Sequence, residues 1–192
     1  MEITLRPTSP DDLDFVIALE RDDENRPFIG QWSREEHQAA IERADREHWI
    51  VADAAGVRLG YVILYDVRAI GQGVYVKRIA VGPKSAGIGR RALAQLVAHA
   101  FRDLGAEFVT LGVYAHNLRA QKSYRAVGFT VIEQTADERA AMVSQVDPFG
   151  DECLVMKVSR GSWVPGSEVP GSGVRGTGVF STDPGKMGTG VD

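Results

Sequence analysis

Apolar residues recur along this chain at two spacings, and the changes between them delimit its elements. Ile3 opens a first strand over residues 3–6. Leu13, Val16, Ile17 and Leu19 then share one helical face. Ser9 precedes them as a cap, with Asp11 and Asp12 in the first turn, where carboxylates suit the positive helix end. A loop over residues 21–32 holds the acidic cluster Asp22, Asp23 and Glu24. Ser33 and Glu36 then form a capping box that opens a second helix to about residue 46. Residues 49–52 and 59–67 are strands joined by the turn Ala54-Ala55-Gly56, a hairpin. Val74, Val76, Ile79 and Val81 make 74–81 the fourth strand. The spacing of Leu93, Leu96, Val97, Ala100 and Leu104 predicts a helix over 89–104, stopped by Gly105. A strand at 108–113 follows, then a helix capped by Asn117 that ends near residue 127 before Gly128, then strands at 129–134 and 153–158.

Residues 159–192 break both periods. Gly, Ser, Val and Pro dominate, and Val164-Pro-Gly-Ser is loosely repeated at Val169 and Val174. Such a segment buries too little apolar surface to offset ordering, so it is expected to be a disordered tail behind a globular domain over 1–158.

The junction between the fourth strand and its helix carries the candidate chemistry. Gly87 and Gly89 bracket Ile88, and Lys84, Arg90 and Arg91 add positive charge. A strand-turn-helix junction points several backbone N–H groups at one spot, at the positive end of a helix. Glycine lets a phosphate approach that backbone. The pattern is neither a dinucleotide fingerprint, which needs glycine where Ala92 stands, nor a P-loop, which needs Gly-Lys-Ser/Thr. Taken alone, the turn reads as an ordinary strand-to-helix connection.

Composition narrows the field. A net charge of −4 gives no general attraction for nucleic acid. A single cysteine, Cys153, forbids an intrachain disulfide framework and fits a reducing compartment. There is no run long enough to span a membrane and no signal-peptide core at the N-terminus, so a cytoplasmic protein is expected. His37, His48, His99 and His116 lack ligand spacing, and no metal is expected.

The element order, the turn Lys84-Ser85-Ala86-Gly87-Ile88-Gly89, and the second signature Asn117, Ala120, Tyr124, Gly128 and Phe129 together resemble the GNAT family of N-acetyltransferases, over roughly residues 2–158. The family turn reads Arg/Gln-x-x-Gly-x-Gly/Ala; Lys84 keeps the charge without the planar fork. The resemblance implies an α/β fold: a mixed, mainly antiparallel sheet of six to seven strands flanked by about four helices. It implies acetyl transfer from acetyl-CoA to a primary amine by direct attack in a ternary complex. The pyrophosphate is expected on the backbone N–H groups of Ser85, Ala86, Gly87, Ile88, Gly89 and Arg90, with Lys84 beside them. The pantetheine arm is expected to pair with Ile79, Ala80 and Val81, where a backbone N–H also steadies the oxyanion. Asn117 is expected on the cofactor arm, and Tyr124 at the sulfur as acid or hydrogen-bond donor. Otherwise Asn117 is a plain helix cap and Tyr124 a half-buried ring.

Many members place a glutamate on the fourth strand, but residues 74–78 here are Val-Tyr-Val-Lys-Arg, with Tyr75 in its place. A water chain to Glu20, Glu24 or another loop carboxylate is the expected substitute base. Acceptor contacts are expected from Glu20, Glu24, Asn25, Phe28, Trp32 and Tyr75. Acidic loops, Asp22 to Glu24 and then Asp137, Glu138, Asp147, Asp151 and Glu152, favour a cationic amine. The resemblance leaves monomer or homodimer open. Two other readings stay open: an acyl-CoA-binding module without turnover, and an unrelated nucleotide or phosphate binder.

Overall fold

Alternation along the strands divides the apolar residues between two faces. On β2 (Arg46–Asp53), Trp49 and Val51 enter one core and Ile50 and Ala52 the other; on β3 (Arg58–Tyr65), Val62 and Leu64 oppose Tyr61 and Ile63 in the same way. Successive side chains of a strand point to opposite faces, so both faces of this sheet must be covered. The computed structural model describes residues 2–68, 72–82, 84, 86–133 and 153–164. Within these, the remaining elements are β1 (Ile3–Pro7), α1 (Leu13–Arg21), α2 (Arg34–Glu42), β4 (Gly73–Val81), α3 (Ile88–Arg102), β5 (Phe108–Tyr114), α4 (Leu118–Arg125), β6 (Thr130–Val131) and β7 (Cys153–Ser159). The sheet order is β1-β2-β3-β4-β5-β7-β6, antiparallel throughout except between β4 and β5. This is the mixed, mainly antiparallel sheet with four helices that the sequence predicts.

The larger core lies under α3, where Leu93, Leu96, Val97, Ala100 and Phe101 meet Val62, Val76, Val109 and Leu111. The smaller one packs Val16 and Leu19 of α1 on Ile50, Tyr61, Ile63 and Ala80. Ser9 does not cap α1: it precedes a short 3-10 turn over Pro10–Asp12, its hydroxyl donates to Asp12 Oδ2 at 2.9 Å, and Asp12 stands at the N-cap of α1. The other caps work as the sequence suggests. Ser33 Oγ accepts from the Glu36 N–H, and Gly105 and Gly128 turn the chain out of their helices at φ +69° and +103°.

Several boundaries differ from the sequence reading. α2 stops at Glu42, not near 46, because Arg43 turns extended and its guanidinium grips Asp45 through two 2.8 Å bonds. β2 therefore begins at Arg46. β6 keeps only two residues, although the Ile132 N–H still reaches the Val155 carbonyl at 3.0 Å. The fold also continues past residue 158: Arg160 donates to the Ala106 carbonyl at 2.7 Å, and the Trp163 ring lies 5.5 Å from Phe101. The rest of the segment read as a tail, from 165, and the loop with Asp137, Glu138, Asp147, Asp151 and Glu152 lie outside the described residues.

What positions the site is a parting of two strands. Pairing of β4 with β5 runs from Gly73 opposite Phe108 to Val76 opposite Leu111 and ends there, although both strands continue. On its other side β4 stays paired with β3, but Leu64 faces Val76 and Ile63 faces Arg78. Lys77 is thus an extra residue, a bulge that bends β4 where β5 leaves it.

Candidate active site

The parted half of β4 offers an open backbone edge. The Gly82 N–H donates to the Leu59 carbonyl at 2.8 Å, so Val81 and Gly60 form a non-bonded antiparallel pair. Val81 and, two residues back, Ile79 therefore aim their N–H and C=O groups away from β3, into the gap. A cleft of about 540 Å³ lies along this edge, lined by Ile79, Ala80, Val81, Lys84, Gly87, Ile88, Gly89 and Arg90 on one side. Asn117, Arg119, Lys122 and Tyr124 of α4 and its cap line the other, and Glu24, Asn25, Phe28 and Ile29 close it from the α1–α2 loop.

Gly87 is the N-cap of α3 and sits at φ +72°, a conformation that costs an ordinary L-residue about 1–2 kcal/mol. Ile88 is buried and anchors the first turn. The Arg91 N–H already bonds the Gly87 carbonyl at 3.1 Å, which leaves the N–H groups of Ile88, Gly89 and Arg90 for an anion. Ala86 is exposed beside them and does not line the cleft; Ser85 lies outside the described residues. Lys84 folds back: its Nζ donates to the Val81 carbonyl at 2.6 Å and to Asn25 Oδ1. Burial, aided by Arg119, lowers this ammonium below the usual lysine range.

Asn117 Oδ1 accepts from the Ala120 N–H at 3.1 Å and so caps α4, leaving its amide Nδ2 for another partner. Tyr124 is the penultimate residue of α4. The Phe129 N–H bonds its carbonyl at 3.1 Å and the two rings lie 6.3 Å apart. The Tyr124 side chain is half-buried, and burial pushes its phenol up to about 12. Among the described residues its OH has no hydrogen-bond partner.

A second, smaller pocket of about 70 Å³ adjoins the cleft between β4 and β5. Tyr75, Lys77 and Arg78 line it from β4, Gly112, Val113 and Tyr114 from β5, and Cys153 from β7. Phe28, Ile29, Asn117 and Tyr124 line both cavities. The free phenol of Tyr124 therefore stands where the cleft and the pocket meet. His116 lies at this rim, 5.7 Å from the Phe28 ring and 5.1 Å from that of Tyr114. Tyr114 is a lining residue the sequence reading did not single out; its only signal is its place at the end of a strand facing the gap.

Two residues expected at the acceptor do not reach it. Glu20 is 1% exposed and lines neither cavity. Its carboxylate accepts from the Trp32 N–H at 2.8 Å, from Arg78 Nη1 at 3.2 Å and from the Tyr61 OH, with His37 Nε2 at 3.4 Å. Burial alone would raise its pKa; His37, Arg78, Tyr61 and the Trp32 N–H together hold it below the usual glutamate range. Trp32 lies behind the wall, its ring 4.3 Å from the Arg78 guanidinium. Glu24, exposed at the cleft mouth, is the remaining loop carboxylate, 3.9 Å from Arg119. No group of three or more His, Cys, Asp or Glu among the described residues is placed to hold a metal, and no described helix is long and apolar enough to cross a membrane.

A model of the acetyltransferase (GNAT) family matches residues 17–129 of the chain. No curated protein matches. Among solved structures, the chain is similar to a spermidine N-acetyltransferase from Vibrio cholerae in complex with CoA and spermine, with TM-score 0.69 and 19% identity, covering 84% of this chain and 97% of that one. Two single-substitution variants of spermidine N-acetyltransferase SpeG from the same organism are also similar. One has TM-score 0.67 at 20% identity, covering 87% and 99% of the two chains. The other has TM-score 0.65 at 21%, covering 85% and 99%. At such identities the likeness is one of fold.

Proposed function

The chain belongs to the acetyltransferase (GNAT) family, and from that membership we propose that it moves an acetyl group from acetyl-CoA to a cationic primary amine held in the small pocket. The observation that carries this reading is the position of Tyr124, with an unpartnered OH, among the residues common to both cavities. Acetyl-CoA lies along the cleft, with its pyrophosphate on the Ile88, Gly89 and Arg90 N–H groups. Its pantetheine arm pairs with the Ile79 and Val81 edge, and the thioester ends beside Tyr124. The amine enters past Phe28, Tyr75 and Tyr114, whose ring faces suit an ammonium or its methylenes. It attacks the thioester carbonyl directly, and a β4 backbone N–H facing the gap steadies the oxyanion.

Tyr124 serves the leaving sulfur as a hydrogen-bond donor. A phenol at about 12 against a thiol near ~8.5 makes full proton transfer uphill by roughly 5 kcal/mol, whereas donation to a thiolate carries no such penalty. The spermine in the similar Vibrio cholerae structure, and Glu24 at the cleft mouth, support a cationic acceptor.

Calorimetric titration with acetyl-CoA, with ATP as control, tests the donor; release of thiol on adding diamines and polyamines tests the acceptor. Binding of acetyl-CoA without thiol release from any amine would favour a module that holds acyl-CoA without turnover. Binding of ATP alone would overturn the cofactor assignment.

A further inference from the structure

The α1–α2 loop supplies Phe28 and Ile29 to both cavities, yet it has no regular structure of its own. Buried side chains fasten it at two places. Near its start, Asn25 Nδ2 donates to the Leu19 carbonyl at 3.0 Å and reaches the Val81 carbonyl at 3.5 Å. Near its end, Arg78 Nη1 donates to both the Gly30 carbonyl and Glu20 Oε1, while Glu20 Oε2 takes the Trp32 N–H. Both side chains of the Glu20–Arg78 pair are 1% exposed. Arg78 is the residue just after the bulge at Lys77, so the bend in β4 and the loop are tied through one guanidinium.

A buried ion pair is a poor device for stability alone, because desolvation offsets most of its attraction and an apolar pair of similar volume does as well or better. What it supplies is direction: a planar fork with fixed donors, which here meets a carbonyl of the loop and a carboxylate of α1. Glu20 has a second consequence. Arg78 lines the pocket beside Lys77, and the carboxylate behind Arg78 offsets the guanidinium's charge, so Lys77 is the one β4 cation of this wall that Glu20 leaves uncompensated.

Building on the acceptor pocket proposed above, we propose that Glu20 and Arg78 are positioning residues that latch the α1–α2 loop onto bent β4 and so set both the fit and the charge tolerance of that pocket. Neither touches the reacting atoms.

The test compares Glu20→Gln, Arg78→Lys and the charge-free double variant Glu20→Gln/Arg78→Met with wild type, all as full chains. The double variant removes both charges and is expected to keep the fold, where a single change leaves a buried charge unpaired. Four readouts are taken: melting temperature, acetyl-CoA affinity, amide exchange of peptides covering residues 26–32, and acceptor KM against kcat. A latch predicts that the double variant melts near wild type and that its acetyl-CoA affinity falls less than its acceptor affinity, because β4, α3 and α4 supply most of the cleft lining. Its loop exchanges about tenfold faster, and its acceptor KM rises about tenfold. Arg78→Lys, which keeps a donor and a charge, should recover part of the KM. Glu20→Gln, with Arg78 uncompensated, should raise the KM of a triamine more than that of a monoamine.

Wild-type exchange and wild-type KM in a folded double variant would overturn the proposal. So would equal KM changes for mono- and triamine in Glu20→Gln. If wild-type protein releases no thiol with any amine, the enzymatic reading fails and takes the acceptor part with it; the exchange comparison on unliganded protein then decides alone whether the latch exists.

Discussion

Val76 faces Leu111 at the last rung where β4 and β5 pair, and one residue further along β4 the bulge at Lys77 turns the strand away. The Ile79 backbone groups and the Val81 N–H that β5 leaves unpaired become a ligand edge, while the Val81 carbonyl is held by Lys84, and the ring of Tyr124 comes to stand across the gap from them. The parting of the strands thus creates the cleft and sets the direction from which a thioester can meet an amine.

Replacing Tyr124 by Phe removes a hydroxyl that has no partner among the described residues, where the cavities meet, while keeping the ring against Phe129. The expected outcome is a kcat lowered about a hundredfold, the scale of one lost hydrogen bond to developing negative charge. Acetyl-CoA affinity should stay within about twofold of wild type. Steady-state thiol release and calorimetry measure the two. Unchanged turnover removes Tyr124 from the mechanism.

A Cβ at Gly87 would meet no atom within 4 Å, so the backbone angle of +72° is what requires glycine there. Asparagine tolerates that angle better than other side chains. Gly87→Asn should therefore cost only about 1 kcal/mol of stability. Its side chain would nonetheless project into the space the pyrophosphate needs, and acetyl-CoA affinity should fall more than about tenfold. Wild-type affinity in a folded variant would move the phosphates elsewhere.

No carboxylate among the described residues lines the small pocket. If the amine loses its proton to solvent, log kcat/KM should rise with unit slope up to the acceptor's own pKa, about 10.4 for a lysine-like amine. An acceptor of lower pKa should shift the curve by the same amount. A plateau near neutrality that ignores the acceptor would point to a protein base instead.

His48 is buried between Thr8 Oγ1, 2.8 Å from Nδ1, and His37 Nδ1, 3.2 Å from Nε2. Burial, followed by His37, lowers its pKa to about 3. In the unfolded chain an ordinary histidine, near ~6.5, binds its proton first, so acid favours unfolding. This contribution is whole above about 6.5 and is lost as pH falls below it, with a slope approaching ~1.4 kcal/mol per pH unit. His99 acts in the opposite sense: burial lowers it, but Glu47 and Asp103 raise it further, so its contribution is present in acid and lost as pH rises through its folded value. Urea unfolding of wild type and His48→Gln from pH 7.5 to 5.0 isolates His48. The variant should be less stable at pH 7.5 and should show a flatter curve; parallel curves would mean that His48 titrates normally in the fold.

The sequence by itself determined the elements and the local chemistry of their ends. Strand and helix periods, the caps at Ser33 and Asn117, and the glycines at 87, 105 and 128 act within a few residues, so they are legible without knowing what the chain packs against. The cofactor side was legible for the same reason, because a strand, its turn and the next helix are contiguous. The tertiary structure decided the acceptor side. Glu20 has the residue type of a base or an acceptor contact. Only the convergence of Tyr61, Arg78, Trp32 and His37 from four separate segments shows it enclosed. The bulge at Lys77, the place of Tyr114 in the pocket and the bond from Arg78 to Gly30 likewise depend on register between strands and on a loop without periodicity. Such contacts join residues tens of positions apart, and no local preference encodes them.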